Sequence, residues 1–303
     1  MQYVIRPNPL GDDETAMSIN AQEFACIEES TEQLVLAERL CSKFSILFEN
    51  YKDLELEGAS ISLDRITSGA INIAELRSYG RRFERRLLNY FSTYFAYEEF
   101  LSKPQTKQEK RFADLAAGSL KAARDLELTR AMKALRNYVQ HYDLPLRQQI
   151  QGSATKDGTS ATTFVPMINM ETLDLKRVNH GTRAGLEDLK EIIRRDKKGL
   201  LQLIRGFTEI LSNLNRSIQE ATEADVDNAA QALECFRRRF RIGRTVSATI
   251  PLCAVEYVDE DSAFKEINLM LNETIDGIRQ LRAVCGRHLF LDRQFISTEA
   301  KPR

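Results

Sequence analysis

The chain has 303 residues, 43% of them hydrophobic and 29% charged, and a formal net charge of -1. That balance belongs to a folding globular protein and excludes a disordered or fibrous one, while the length allows one large domain or two of ordinary size. Near-neutrality excludes the strongly basic character of many nucleic-acid binders, so any contact with an anionic ligand has to be local.

A short apolar start, Tyr3-Val4-Ile5, leads into a turn-rich stretch through Gly11. Leu36, Leu40, Phe44, Leu47, Phe48, Tyr51 and Leu54 then recur every three or four positions and predict a long helix that Gly58 would stop. Leu76, Tyr79, Phe83, Leu87, Phe91, Tyr94, Phe95 and Tyr97 predict a second, closed by Pro104, with Arg81, Arg82, Arg85, Arg86 and Asn89 mainly on its other side. These aromatics are expected in the core. Phe112, Leu115, Leu120 and Ala123 predict a third helix, and Leu128, Met132, Leu135 and Val139 a fourth or its continuation. Pro145 disfavours helical geometry at Leu144, which puts His141 in the last helical turn or just past it.

Residues 151–163 are rich in Gly, Ser and Thr and read as a linker, giving an N-terminal domain over 1–150 and a second over 151–303. Phe164 to Met170 alternates like a strand. A long helix is expected through Leu186, Leu189, Ile193, Leu200, Leu203, Phe207, Ile210, Leu214 and Ile218, and another from Ala229 to Phe240. Val246, Ala248, Ile250 and Leu252 read as a strand, and Ile267, Leu271, Ile275, Ile278 and Leu281 as a last helical face. The expected fold is predominantly α: a helical bundle, then a helical α+β half with a few short strands.

Five scattered cysteines, odd in number and without a CxxC pair, point to free thiols in a reducing compartment. Met1 to Asp13 lacks a basic start followed by an apolar core, and no stretch approaches the roughly 20 apolar residues that cross a bilayer, so a cytoplasmic protein without membrane contact is expected. Phosphate-loop, dinucleotide, HExxH and GxSxG signatures are missing, and no cofactor or metal is expected. Only three histidines occur, and His180 and His288 are read as structural or solvated.

What remains is Arg136, Asn137 and His141 at a helix end. Asn137 and His141 share a helix face, while Arg136 lies about 140° round the axis from His141 and roughly 7.5 Å along it. The arginine can grip a phosphate oxygen in bidentate fashion, the imidazole can move a proton, and the amide can orient either. A histidine near a helix C-terminus also feels negative dipole charge, which favours its protonated form.

The string from Leu135 to Leu146, at the end of a four-helix stretch, resembles the RX4-6H motif of the HEPN superfamily over about residues 25 to 150. Arg136 and His141 match its two defining positions, and Asn137 the polar residue that commonly follows the arginine. The resemblance implies a metal-independent endoribonuclease of phage defence or a toxin-antitoxin system, cleaving by 2′-OH attack to leave a 2′,3′-cyclic phosphate. It also implies a homodimer in which motifs from two copies converge, and an antitoxin or other regulatory protein as partner. His141 would transfer the proton, Arg136 would stabilise the phosphorane, and Asn137 would hold the geometry. Arg282 to His288 also fits the RX4-6H pattern, but Ala283 follows the arginine, Gly286 lies within it and it does not close a four-helix array, so it is read as coincidence.

Arg81, Arg82 and Arg85 are candidate RNA-backbone contacts, and Tyr138 and Tyr142 candidate base-stacking residues. The clusters Arg194, Arg195, Lys197, Lys198 and Arg237, Arg238, Arg239, Arg241, Arg244 read as solvated faces paired with acids. Two other functions stay open: a non-catalytic nucleotide- or protein-binding module of the same fold, and a structural interaction protein using its long helices.

Overall fold

The computed structural model describes residues 2–8, 16–68, 73–104, 106–142, 146–154, 160–169, 171, 173, 175–176, 178–242, 244, 250–259, 262–270 and 272–286. The fold is predominantly α. In chain order the elements are β1 (Gln2–Pro7), β2 (Met17–Ile19), α1 (Ala21–Ser68), α2 (Ile73–Ser102), α3 (Lys107–Asp125), α4 (Glu127–His141), β3 (Leu146–Ala154), β4 (Ser160–Ile168), α5 (His180–Asp196), α6 (Leu200–Ala221), α7 (Glu223–Arg241), β5 (Leu252–Asp259), β6 (Ser262–Leu269) and α8 (Asn272–Cys285). No described helix is long and apolar enough to cross a membrane.

Two compact units form, and their division does not fall at residue 150. The first takes Met1–Ser42, Lys103–Ala116 and Arg216–Arg287, the second Lys43–Ser102, Ala117–Asn215 and His288–Arg303. In the first, the N-terminal strands pair with strands near the other end of the chain, in an antiparallel sheet of order β2-β1-β5-β6 with Val4 opposite Val255. Strand alternation sends Ile5, Leu252 and Ala254 into a core with Phe24, Ile27, Val226, Leu233 and Ile275, and Val4, Cys253 and Val255 to the opposite face. Helix α1 starts at a capping box: Asn20 Oδ1 accepts from the Glu23 N–H and Glu23 returns a bond to the Asn20 N–H. Thr106 and Glu109 repeat the device at α3.

In the second unit most of the predicted stripe of α2 is core: Tyr79, Phe83, Leu87, Phe91, Tyr94 and Tyr97 are buried, as is Tyr90, which the spacing had not included, and Tyr90 and Tyr94 meet Phe207 edge-on. Gly58 does not stop α1. A Cβ there would stand 3.2 Å from Leu201 Cδ1, so the glycine serves close packing instead. The single long helix expected over 186–218 is two, because Lys197 adopts a left-handed conformation (φ 52°, ψ 29°) and ends α5. The expected linker is a hairpin: β3 pairs antiparallel with β4, Gly152 opposite Thr162, a stretch whose Thr residues suit strands. Residues 155–159, Met170, Leu271 and the predicted strand's 246–249 lie outside the described residues.

Helices α4 and α5 cross at Gly185, where a Cβ would come within 2.5 Å of Ala134 Cβ and 2.7 Å of the Arg130 carbonyl oxygen. Neither neighbour is a flexible side-chain end. Gly185→Ala is therefore expected to destabilise the protein by about 1–3 kcal/mol despite alanine's better helix propensity. Urea unfolding of the variant with an unchanged midpoint would contradict this close crossing.

Helix α6 carries polar side chains inside: Thr208, Ser212, Asn215 and Gln219 are buried, as is Thr222 just beyond its end. With Arg205 they are spaced 3, 4, 3, 4 and 3 residues apart, one seam of the helix. In the second unit Arg205 grips Glu55 through two 2.6 Å bonds, Thr208 pairs with the Tyr90 hydroxyl at 2.8 Å, and Asn215 accepts from Tyr97 at 3.2 Å. In the first, Gln219 reaches Cys41 Sγ at 3.3 Å.

Candidate functional site

Helix α4 buries Met132, Leu135, Tyr138 and Val139. It ends where the periodicity and Pro145 placed the end: His141 is the last helical residue, and Tyr142 is extended while its N–H bonds the Tyr138 carbonyl oxygen. Pro145 itself lies outside the described residues.

Position 136 borders the buried face, and Arg136 is half-buried. Its guanidinium lies 4.1 Å over the Phe95 ring of α2, and Nη1 donates to Asn137 Oδ1 at 2.9 Å. The Nε is buried without a hydrogen-bond partner among the described residues. Burial lowers the Arg136 pKa, while the charges of Tyr94 and Glu98 oppose that shift. His141 is exposed, its ring edge-on to Tyr142 with centroids 6.4 Å apart. No hydrogen bond, ion pair or ring contact joins Arg136 to His141 among the described residues. With the helix unbroken through 141, their 140° offset stands, and one chain does not bring the two together.

The basic cluster of α2 divides by face. Arg82 reaches across to α1, 2.7 Å from Glu57 and 3.3 Å from Asp64, and Arg86 pairs with Asp53 at 2.8 Å. Arg82 is thus tied to acids of α1 while its side chain stays 38% exposed. Arg81 and Arg85 stay exposed and form no ion pair among the described residues. The other clusters are largely committed: Arg194 to Glu191, Arg195 to Asp196 and Glu127, Arg239 to Glu23, and buried Arg237 to the Leu269 carbonyl. His180 is the exposed first residue of α5, and His288 lies outside the described residues.

Tyr138 is 4% exposed and belongs to the core, because it follows Leu135 by three residues on the same face. It is not available to stack on a base; Tyr142, half-buried and 5.0 Å from the Tyr138 ring, is the more open of the two. Phe95 departs from expectation in the other direction. It is 37% exposed and carries Arg136. The signal was present: Phe95 lies one residue off the buried series and shares the outer face with Arg81, Arg85, Leu88 and Ser92.

Sequence reasoning also missed Glu98, a buried carboxylate that takes Lys133 Nζ at 2.8 Å and Arg124 Nε at 3.1 Å. Burial pushes its pKa up, but the bonds and charges of Lys133 and Arg124 prevail and hold it below the ordinary carboxylate range. A carboxylate whose folded-state pKa is depressed adds stability above its unfolded pKa of about 4.3, and that stability is lost as pH falls through the folded value. Glu98→Gln should therefore destabilise the protein at pH 7 and progressively less below about pH 4. Thermal unfolding at pH 7 and pH 3 would show it; a gap independent of pH would refute it.

Among the described residues no group of three or more His, Cys, Asp or Glu could hold a metal ion. No known protein family, curated protein or solved structure matches the chain.

Proposed function

We propose that the chain is a HEPN-like endoribonuclease of a defence or toxin system, working without a metal, whose site is completed by a second copy. The observation that carries the reading is an exposed imidazole on the last residue of α4, one turn from Asn137, whose Oδ1 accepts from Arg136. His141 removes the 2′-OH proton of a bound RNA while the 2′ oxygen bonds to phosphorus. The bond to the 5′ oxygen breaks as His141 hands the same proton on to that oxygen, and the products are a 2′,3′-cyclic phosphate and a 5′ hydroxyl. Arg136 of the second copy neutralises the phosphorane oxygens with the guanidinium edge that Asn137 does not occupy. An antitoxin or regulatory protein is the expected partner.

Support also comes from α2, where Arg77, Arg81 and Arg85 are all exposed. They rise in steps of about 6 Å along one face, a spacing that suits a single-stranded backbone. Arg81→Ala/Arg85→Ala should lower the salt dependence of RNA affinity by about 1.4 in the log–log slope, about 0.7 per phosphate contact. Arg82→Ala should instead cost stability. Fluorescence anisotropy across a salt series separates the two, and an unchanged slope in the double variant removes α2 from the RNA path.

A non-catalytic binding module is the second reading, favoured by the double engagement of Arg136 with Phe95 and Asn137, which suits an anchoring residue. Incubation with total RNA in excess EDTA decides between them. Fragments ending in 2′,3′-cyclic phosphate support the nuclease; tight binding without cleavage supports the module.

A further inference from the structure

Cys41 on α1 and Cys285, the last residue of α8, meet although 244 positions separate them. Both are buried. The Cys285 thiol lies 3.6 Å from the Cys41 carbonyl oxygen, and the two thiols are within hydrogen-bonding reach of each other. An open cleft of about 470 Å³ in the same unit adjoins them: Gln219, which bonds Cys41 Sγ, and Gly286, which follows Cys285, are in its lining with Arg282 and Ala283. Arg282 donates to the Gln219 carbonyl oxygen at 2.8 Å and forms no ion pair with a carboxylate among the described residues. The cleft thus reaches the residue next to Cys285 and the side chain bonded to Cys41, and the Arg282 cation favours a thiolate at Cys41.

We propose that Cys41 and Cys285 are a redox-active dithiol that hydrogen peroxide converts to a disulfide. The hydrogen bond from Cys41 holds the Cys285 thiol below its usual range, whereas the bond to Cys285 and burial push Cys41 up, so Cys285 gives up its proton first. Its thiolate attacks one peroxide oxygen and the O–O bond breaks. The departing hydroxide takes a proton and leaves as water, and Cys285 becomes a sulfenic acid. The Cys41 sulfur then attacks the Cys285 sulfur and surrenders its proton to the hydroxyl, which leaves as a second water. Two thiols are oxidised by two electrons, and one peroxide is reduced to two waters. The new bond is about 2.05 Å long and ties α1 to α8.

The full reduced chain is treated with stoichiometric hydrogen peroxide, its remaining thiols are blocked with iodoacetamide, and its unreduced digest is mapped by mass spectrometry. The expected product is one peptide pair joining Cys41 to Cys285, two hydrogens lighter than the free peptides, restored by dithiothreitol and retained in Cys26→Ser/Cys235→Ser. Those two cysteines are exposed and serve as internal controls. Recovery of Cys41 and Cys285 as separately blocked peptides while Cys26 or Cys235 is oxidised overturns the proposal. Because the map is made on the natural chain, the answer does not depend on whether a cysteine variant folds.

Discussion

His141→Ala is expected to lower RNA cleavage in EDTA by at least about 100-fold, the usual lower bound for losing a positioned proton-transfer group. The unfolding midpoint should barely move, because the imidazole is exposed and its ring contact among the described residues is edge-on with Tyr142. Arg136→Ala should lose cleavage too, but with a loss of stability, since it strips the cation from the Phe95 ring and leaves Asn137 without its donor. The two variants make a sharper test together. If a working site takes His141 from one copy and Arg136 from another, mixing the inactive proteins restores part of the activity in the mixed dimers. A labelled RNA followed by gel reads all three results. Undiminished cleavage by His141→Ala would remove the histidine from the chemistry, and no recovery on mixing would argue for a site within one chain.

The largest stability effect is expected at Arg205. Its side chain and that of Glu55 are only 12% and 9% exposed, and they share two 2.6 Å bonds while the Tyr51 hydroxyl donates to the same carboxylate. Arg205→Met leaves Glu55 buried without its cation and should cost about 3–5 kcal/mol. Arg205→Met combined with Glu55→Leu should recover most of that, because a buried ion pair is often no more stable than an apolar pair of similar volume. Urea titration of the single and double variants measures the coupling. A single-variant cost below about 1 kcal/mol would put the pair in the class of surface bridges.

Much of the helical content was legible because apolar periodicity is local. The α2 stripe from Tyr79 to Tyr97 is buried where the spacing put it, except at Phe95, and the end of α4 at His141 follows from a proline four residues on. The breaks were harder. Gly58 reads as a stop until Leu201 is found against it, and the stop that Gly199 does signal falls two residues earlier, on a left-handed Lys197. The N-terminal strand was visible as Tyr3-Val4-Ile5, but its pairing with Ala254 and Val255 is a contact across some 250 residues that no window of sequence contains. The candidate site shows the same limit. Arg136, Asn137 and His141 could be named from spacing, whereas the ring that holds Arg136 is Phe95, on another helix, and the acids that pair with Arg82 are on α1. Charge and residue type can be read along the chain; which charges remain available depends on neighbours that only folding supplies.

The polar seam of α6 acts as a key cut into the helix. Leucines along it would tolerate a slide of one turn, since one oily contact replaces another at little cost. Thr208 and Asn215 do not, because each would leave behind the tyrosine hydroxyl it now satisfies, Tyr90 and Tyr97 respectively, and bury a polar group with no bond. A version with Val or Leu at positions 208, 212 and 215 could melt higher than the natural protein and still pack in several registers, so its NMR line widths would reveal the loss sooner than its melting curve.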